Sequence, residues 1–217
     1  MRLIEVSHAI EPGMKTYPGL PEPRAEVLVD YESSRSKYEG KSEFLIASLH
    51  LCGNTGTYVD APIHRHRGAA DLASLPLARL AHLPFVVIDV THAPRSGVDA
   101  AVLRGLDLDG RAVLFHTGFS RHFGTERYFR DNPFLTAGAC DALVAGGAAF
   151  VGIDSLNVDD IKDLERPAHT RLLGVGIPVC EHLTNLASLS SNEGRLHAVP
   201  IAWVGGATFP VRAYVVA

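Results

Sequence analysis

The sequence has few cysteines, no long apolar run and no excess of basic residues. Its three cysteines, Cys52, Cys140 and Cys180, are widely spaced and form no CxxC pair, so neither a disulfide framework nor a thiolate zinc knuckle is indicated. No apolar run reaches the roughly 18 residues of a membrane-spanning helix. A formal net charge of -4 leaves no basic footprint for nucleic acid.

The N-terminal residues carry a charge and a histidine, Glu5 and His8, where a signal peptide needs an uninterrupted apolar core. We therefore expect a cytoplasmic protein without a membrane partner. A chain of 217 residues, 47% hydrophobic and 20% charged, is long enough for one substantial core and predicts a single domain over residues 1–217.

Apolar runs rich in β-branched residues alternate with short helical patterns, which predicts an α/β domain with a mixed β-sheet and short flanking helices. Predicted helices lie at 98–105, at 136–147 with Thr136 as N-cap, and at 166–174 with Pro167 in the first turn. The predicted strands are 85–91, 112–118, 148–154, 176–183, 198–206 and 211–217. Residues 31–43, between the proline-rich start and the run 44–54, are predicted to form a surface excursion.

Two segments contain residues that could bind a catalytic metal. Asp60 and His64 follow a glycine turn in the first, while His169 and Glu181 lie twelve residues apart in the second. Asp60, His169 and Glu181 would supply one imidazole and two carboxylates, a set suited to Zn or Mn with a coordination position left open. Spacing alone does not show that they converge, and a hydrogen-bonded histidine that binds no metal remains the alternative.

Other nucleotide and catalytic motifs are absent. The sequence has no GxGxxG after a strand, no P-loop, no GxSxG elbow and no HExxH pair. Tyr17, on a proline-stiffened turn, is an aromatic that could line a substrate pocket or belong to a satellite core contact.

Four segments together resemble the cyclase family of metal-dependent hydrolases, which includes bacterial kynurenine formamidases and isatin hydrolase. The resemblance covers nearly the whole chain and implies the family's swivelling β/β/α type of fold. The segments are LIEVSHAIEPGMKTYPGLPEP, VLFHTGFSRHFGTERYFRDNPFLTAGACDAL, VGIDSLNVDD and AHTRLLGVGIPVCEHLTNL.

The family signature, His-x-Gly-Thr-His-x-Asp-x-Pro-x-His, aligns with residues 54–64, where both leading histidines are replaced, by Asn54 and Tyr58. In the family those two histidines and the Asp bind one metal, and the Asp, a later His and a Glu bind a second. The resemblance therefore implies that Asp60, His169 and Glu181 hold one Zn or Mn ion. It also implies that His64 is the proton donor and acceptor.

Three further residues are assigned to the site by position. Tyr58 and Asn54 could donate hydrogen bonds to a tetrahedral oxyanion, and a neutral phenol is a poor metal ligand. His50 is a candidate for substrate binding, since in an extended strand it points to the same face as Asn54. The alternative that His50 and Cys52 restore a first metal stays open, although about four residues of strand put His50 some 13 Å from Asn54.

The resemblance implies a metal-dependent hydrolase of a small amide, formamide or lactone, with one metal where the family has two. Two other functions stay open. A metal-free lyase or isomerase could use His64 and Tyr58 as an acid/base pair, and a non-catalytic protein could retain the pocket for a small ligand. The expected partners are a small-molecule substrate and further copies of the chain in a dimer or tetramer, with no nucleic acid.

Overall fold

The computed structural model describes residues 2–92, 97–189 and 194–217. Within them the helices are α1 (Tyr31–Lys37), α2 (Ala137–Ala145) and α3 (Pro167–Gly174). Short 3₁₀ turns connect many of the elements, and the one that bears on the site is Pro62–His64. The strands are β1 (Leu3–Glu5), β2 (Arg24–Val29), β3 (Ile46–His50), β4 (Tyr58–Asp60), β5 (Phe85–Asp89), β6 (Ala112–His116), β7 (Phe150–Ile153), β8 (Val179–Glu181), β9 (Arg195–His197), β10 (Thr208–Pro210) and β11 (Tyr214–Val216).

The central sheet has six strands in the order β10-β4-β8-β7-β6-β5. Strands β5, β6, β7 and β8 run parallel to one another, whereas β4 is antiparallel to both β8 and β10. The parallel strands read as continuous apolar runs because they are buried on both faces. In β6, for example, Val113 and Phe115 pack into one buried cluster, and Ala112 and Leu114 into the other.

Two layers cover the central sheet. On one face lie α2 and α3, whose residues Leu143 and Leu172 share a buried cluster with the sheet. On the other lies a smaller sheet of order β1-β11-β9, which contributes Val215 and Leu196. The fold is therefore a three-layer β/β/α arrangement, and the predicted α/β class with a mixed sheet is confirmed. Among the described residues, no helix is long and apolar enough to cross a membrane.

Most of the predicted elements form, and the exceptions have local causes. Thr136 caps α2 by accepting a hydrogen bond from the backbone N–H of Ala139. The pattern at 98–105 forms only a 3₁₀ turn at Ala100–Leu103, because Arg104 already has an extended backbone. The prediction of a strand at 198–206 is wrong, since Pro200 lacks the N–H that a ladder needs and no strand forms there. The surface excursion at 31–43 begins with α1.

Candidate metal centre

The pairing of β4 with β8 brings two carboxylates and a phenol onto one face of the central sheet. Tyr58 and Asp60 are two residues apart and so point to the same side of β4, while Val59 between them enters the opposite core. Tyr58 lies directly across from Glu181 in the antiparallel register. Cross-strand partners share a face, so the Glu181 carboxylate lies beside the Tyr58 ring and near Asp60.

Helix α3 packs over this face and supplies the imidazole. The Asp159 carboxylate accepts hydrogen bonds from the backbone N–H of Ala168 (2.6 Å) and of His169 (3.2 Å) in the first turn. The same carboxylate accepts the ring Nδ1–H of His169 at 2.6 Å. This contact assigns the proton to Nδ1 and leaves the Nε2 lone pair of His169 facing the sheet.

Asp60, His169 and Glu181 converge in a buried group whose ligand atoms all lie within 4.8 Å of one another. His169 Nε2 is 3.6 Å from Asp60 Oδ2 and 3.6 Å from Glu181 Oε1. Both carboxylate oxygens of the fully buried Asp60 lack a hydrogen-bond partner in the described part of the chain. An unpaired buried carboxylate is costly, and a divalent cation would supply its partner, so these residues fit the implied metal.

The electrostatics of the group also favour positive charge. Burial alone disfavours a charged His169, but the hydrogen bond to Asp159 and the nearby carboxylates of Asp60 and Glu181 outweigh it and raise the His169 pKa to about 10. Burial, with the Asp60 charge, raises the pKa of Glu181 to about 7 against the opposing effect of His169. Three carboxylates around one imidazole therefore attract a cation, either a proton or a metal ion.

Tyr58 holds Glu181 in place. Its phenol donates a hydrogen bond of 2.5 Å to Glu181 Oε2, and the backbone N–H of Val158 donates one of 2.7 Å to Oε1. Burial and the charges of Glu181 and Asp60 raise the pKa of Tyr58 well above 10. Tyr58 is therefore a neutral donor, and its single proton points to Glu181. Asn54 lies beside it, with Oδ1 accepting from Thr208 Oγ1 at 3.1 Å.

His64 ends the 3₁₀ turn that follows β4. Its Nε2 is 4.0 Å from Asp60 Oδ1, and its ring centroid is 5.6 Å from that of His169. Burial and the neighbouring His169 lower the pKa of His64 against the opposing effect of Asp60. The side chain remains 35% exposed, so the imidazole lies close to Asp60 and His169 and also reaches the solvent-facing part of the pocket.

The predicted site residues, with the exceptions of His50 and Asp60, line one cavity of about 480 Å³. Asp60 lies behind this lining, 4.0 Å from His64 and 3.6 Å from His169. Tyr17 forms part of a wall and also packs against the small cluster of Phe119, Tyr128 and Leu156. His50 instead lies exposed at the end of β3, beside a different cavity. The residues lining the 480 Å³ cavity are Tyr17, Pro18, Gly19, Leu20, Asn54, Tyr58, His64, Arg65, Asn157, Arg166, His169 and Glu181.

Comparison with known proteins agrees with this geometry. A family model described as Cyclase matches residues 4–160. The chain belongs to the cyclase family. It is 32% identical over 214 residues to a kynurenine formamidase from Salinibacter ruber, covering 98% of this chain and 96% of the relative. The cyclase relatives support a metal-dependent hydrolase that acts on amide C–N bonds, and the predicted hydrolase class is confirmed.

Solved structures of cyclase-type proteins have the same fold. Isatin hydrolase A from Labrenzia aggregata has a TM-score of 0.82 at 21% identity, covering 99% of this chain and 93% of that one. An isatin hydrolase bound to the product analogue thioisatinate has a TM-score of 0.84 at 20% identity, covering 99% of this chain and 91% of that one. At these identities the likeness shows the fold alone.

Four residues of the candidate site were not identified from the sequence. Asp159 orients the imidazole of His169, while Asn157, Arg65 and Arg166 line the cavity. Asp159 could have been suspected, because a carboxylate commonly accepts the second ring proton of a metal-binding histidine. No local pattern distinguishes the two arginines from others on the surface.

Proposed function

We propose that the protein is a metal-dependent hydrolase of small amides, with N-formylated aromatic amines, cyclic imides and lactones as its substrate range. One Zn or Mn ion would be held by Asp60, His169 and Glu181. The observation that carries the proposal is the buried carboxylate of Asp60, whose two oxygens lack a hydrogen-bond partner among the described residues and lie beside an oriented His169. When bound, such an ion polarises a carbonyl group and lowers the pKa of water toward about 7.

Two features support one ion per chain. The positions of the family's leading histidines are taken by Asn54 and Tyr58. Tyr58 remains a protonated phenol that donates to Glu181, so it offers no anionic oxygen to a second metal. Asn54 lies beside this phenol and offers only a neutral amide.

His64 would move the proton in the reaction. Its lowered pKa keeps the ring neutral near pH 7, so it can take a proton from water as the water oxygen bonds to the carbonyl carbon. The C–N bond then breaks, and His64 returns the proton to the leaving nitrogen. For a formamide the products are the free amine and formate, with one proton released as formic acid ionises.

Asn54 would stabilise the developing oxyanion. Its side chain lines the cavity, and its Oδ1 is held by Thr208, which leaves amide N–H groups as donors. Donation by Tyr58 to the oxyanion would require its bond to Glu181 to break first. We therefore assign Tyr58 to positioning Glu181.

Removal of the metal tests the proposal. We expect formate release from N-formylaniline to fall to background after dialysis against a chelator and to return on adding about one equivalent of Zn or Mn per chain. The control is the chelated protein returned to buffer with Mg²⁺ alone, since the imidazole in the site favours Zn or Mn. Activity that survives chelation would indicate the metal-free acid/base mechanism. Binding of the compound without turnover under every metal condition would indicate a binding protein.

We also propose that the chain forms a homo-oligomer through the β2–β3 hairpin. In the antiparallel register Ala25 pairs with Leu49 and Val27 with Ala47, so these four side chains share one face. All four are exposed in the isolated chain, with Val27 at 58% and Leu49 at 53%. An exposed apolar face on a two-stranded sheet is typical of an interface, and a second copy presents the same face.

The double variant Val27→Glu/Leu49→Glu is expected to shift the protein from a dimer or tetramer to a monomer, because four like charges would meet across a symmetric interface. The mass in solution, measured by light scattering after size exclusion, checks this. The matched control is Glu26→Lys, on the opposite face of the same strand. A monomeric wild-type protein, or an oligomer that persists in the double variant, would contradict the interface.

A further inference from the structure

Two arginines line the cavity in addition to the residues of the proposed metal site. Arg65 directly follows His64, and Arg166 is the residue before the first turn of α3. Neither takes part in the metal-binding group or in the proton transfer proposed above. Their contacts show how each guanidinium is held and what remains free for a ligand.

Arg65 is bound to the segment that leads into α3. Its Nε donates to Thr170 Oγ1 at 3.0 Å, and its Nη2 donates to the Glu165 carbonyl oxygen at 2.8 Å. Thr170 Oγ1 donates to the same carbonyl at 3.1 Å. The Arg65 guanidinium is thus fixed at Glu165, the residue that precedes Arg166. Its Nη1 group has no hydrogen-bond partner among the described residues.

Arg166 is held on the same rim. Its Nη1 donates to Asn157 Oδ1 at 3.2 Å and its Nη2 to the Ile161 carbonyl oxygen at 3.4 Å. Asn157 is itself buried and lines the cavity. Arg166 has a positive φ of 49°, a left-handed conformation that a residue with a side chain adopts at an energetic cost. Each of these contacts is to a neutral oxygen.

Neither guanidinium has a carboxylate partner in the described part of the chain. Among the described arginines, those that form ion pairs within 4.0 Å are Arg35, Arg111, Arg171 and Arg212. Two like charges held on one rim without a counterion repel each other, and an anion that bridges them would relieve that repulsion. A guanidinium fork matches a carboxylate in shape, and charge-assisted hydrogen bonds are the strong ones.

The other walls of the cavity are apolar. Tyr17, Pro18 and Leu20 provide an aromatic ring and two aliphatic side chains, which suit the body of an aromatic substrate. The cavity of about 480 Å³ therefore presents an amide-cleaving centre, an apolar wall and a cationic rim.

We infer that the substrate is an aromatic amide that carries a carboxylate, and that Arg65 and Arg166 bind this carboxylate. The inference rests on the proposed function, since the amide bond is assigned from the metal centre. It adds a specificity that the metal centre does not supply, namely a preference for anionic over neutral amides of the same size.

Binding of the product amines tests the inference without turnover. The affinities of 2-, 3- and 4-aminobenzoate for the protein as purified are compared with those of their methyl esters by isothermal titration calorimetry. We expect at least one acid to bind about 10-fold or more tightly than its ester, as charge-assisted pairs to two arginines predict. In Arg65→Gln/Arg166→Gln this preference should fall to about threefold or less.

The matched control is Arg67→Gln, an exposed arginine two residues beyond Arg65 that does not line the cavity, and it should keep the full preference. Equal binding of acids and esters, no binding of either, or a preference unchanged in the double variant would overturn the inference.

A parallel assay separates failure of the inference from failure of the proposed function. Formate release is measured from the N-formyl derivatives of the same acids and esters. If none of them releases formate but the acids still bind more tightly than the esters, the proposed hydrolase activity is contradicted and the carboxylate site is retained. If acids and esters release formate at equal kcat/KM, the carboxylate site is contradicted and the proposed hydrolase activity is retained. A ratio of kcat/KM in favour of the acid, lost in the double variant chiefly through KM, supports both.

Discussion

Replacing His64 with alanine should lower kcat for formamide hydrolysis by about 10²–10⁴-fold, the usual contribution of a positioned general acid/base. In the structure His64 is a partly exposed imidazole that lines the cavity, and its Nε2 lies 4.0 Å from Asp60 Oδ1. Burial keeps its pKa low, so the neutral form that accepts a proton dominates near pH 7. Without it, water must lose its proton to bulk solvent.

The measurement is the rate of formate release at saturating substrate, with metal content determined on the same sample. Because His64 lies beside Asp60, a loss of activity counts only if the variant retains the metal content of the wild type. The control is His92→Ala, which removes an exposed histidine that does not line the cavity and should leave the rate unchanged. Wild-type turnover in His64→Ala with full metal content would remove His64 from the mechanism.

Replacing His169 with alanine should abolish tight metal binding. The wild-type protein, loaded with Zn or Mn and desalted, is expected to hold about one ion per chain, and His169→Ala less than about a tenth of that. The reason is that His169 is the imidazole among the three proposed ligands, and its removal leaves Asp60 and Glu181 to repel each other. Metal per chain is measured by inductively coupled plasma mass spectrometry.

A graded variant strengthens this test. Asp159→Asn keeps all three ligands but replaces the carboxylate that accepts the Nδ1–H of His169 at 2.6 Å. Loss of such an orienting partner commonly lowers metal affinity by about 10–100-fold. His92→Ala again serves as the control. An ion retained at full stoichiometry in His169→Ala would place the metal elsewhere, and no ion in the wild-type protein would remove the metal centre altogether.

The fold was predictable where burial leaves a local pattern. The runs around Phe85–Asp89, Ala112–His116 and Phe150–Ile153 are apolar at successive positions because both faces of these strands are covered. The same reasoning failed at residues 198–206, where Ile201, Trp203 and Val204 are 47% to 81% exposed. An apolar run shows that a segment could be buried, and only its neighbours decide whether it is.

The pairing of residues distant in sequence was not predictable. Tyr58 and Glu181 are separated by 123 positions in the sequence. Their hydrogen bond exists because β4 and β8 pair in the register that sets Tyr58 opposite Glu181. A shift of one residue would turn Asp60 to the other face of the sheet. The exclusion of His50 has the same origin, since β3 pairs with β2 in a separate hairpin.

The sequence alone determined which candidate metal ligands are present, Asp60, His169 and Glu181, and that Asn54 and Tyr58 stand at the positions of the two leading histidines of the family signature. Only the tertiary structure decided that the three ligands meet, that the proton of Tyr58 is directed to Glu181, and that Arg65 and Arg166 share one rim. Residue identity sets the chemistry that a side chain can perform. The distance between side chains far apart in sequence depends on strand register and helix packing, which local patterns do not specify.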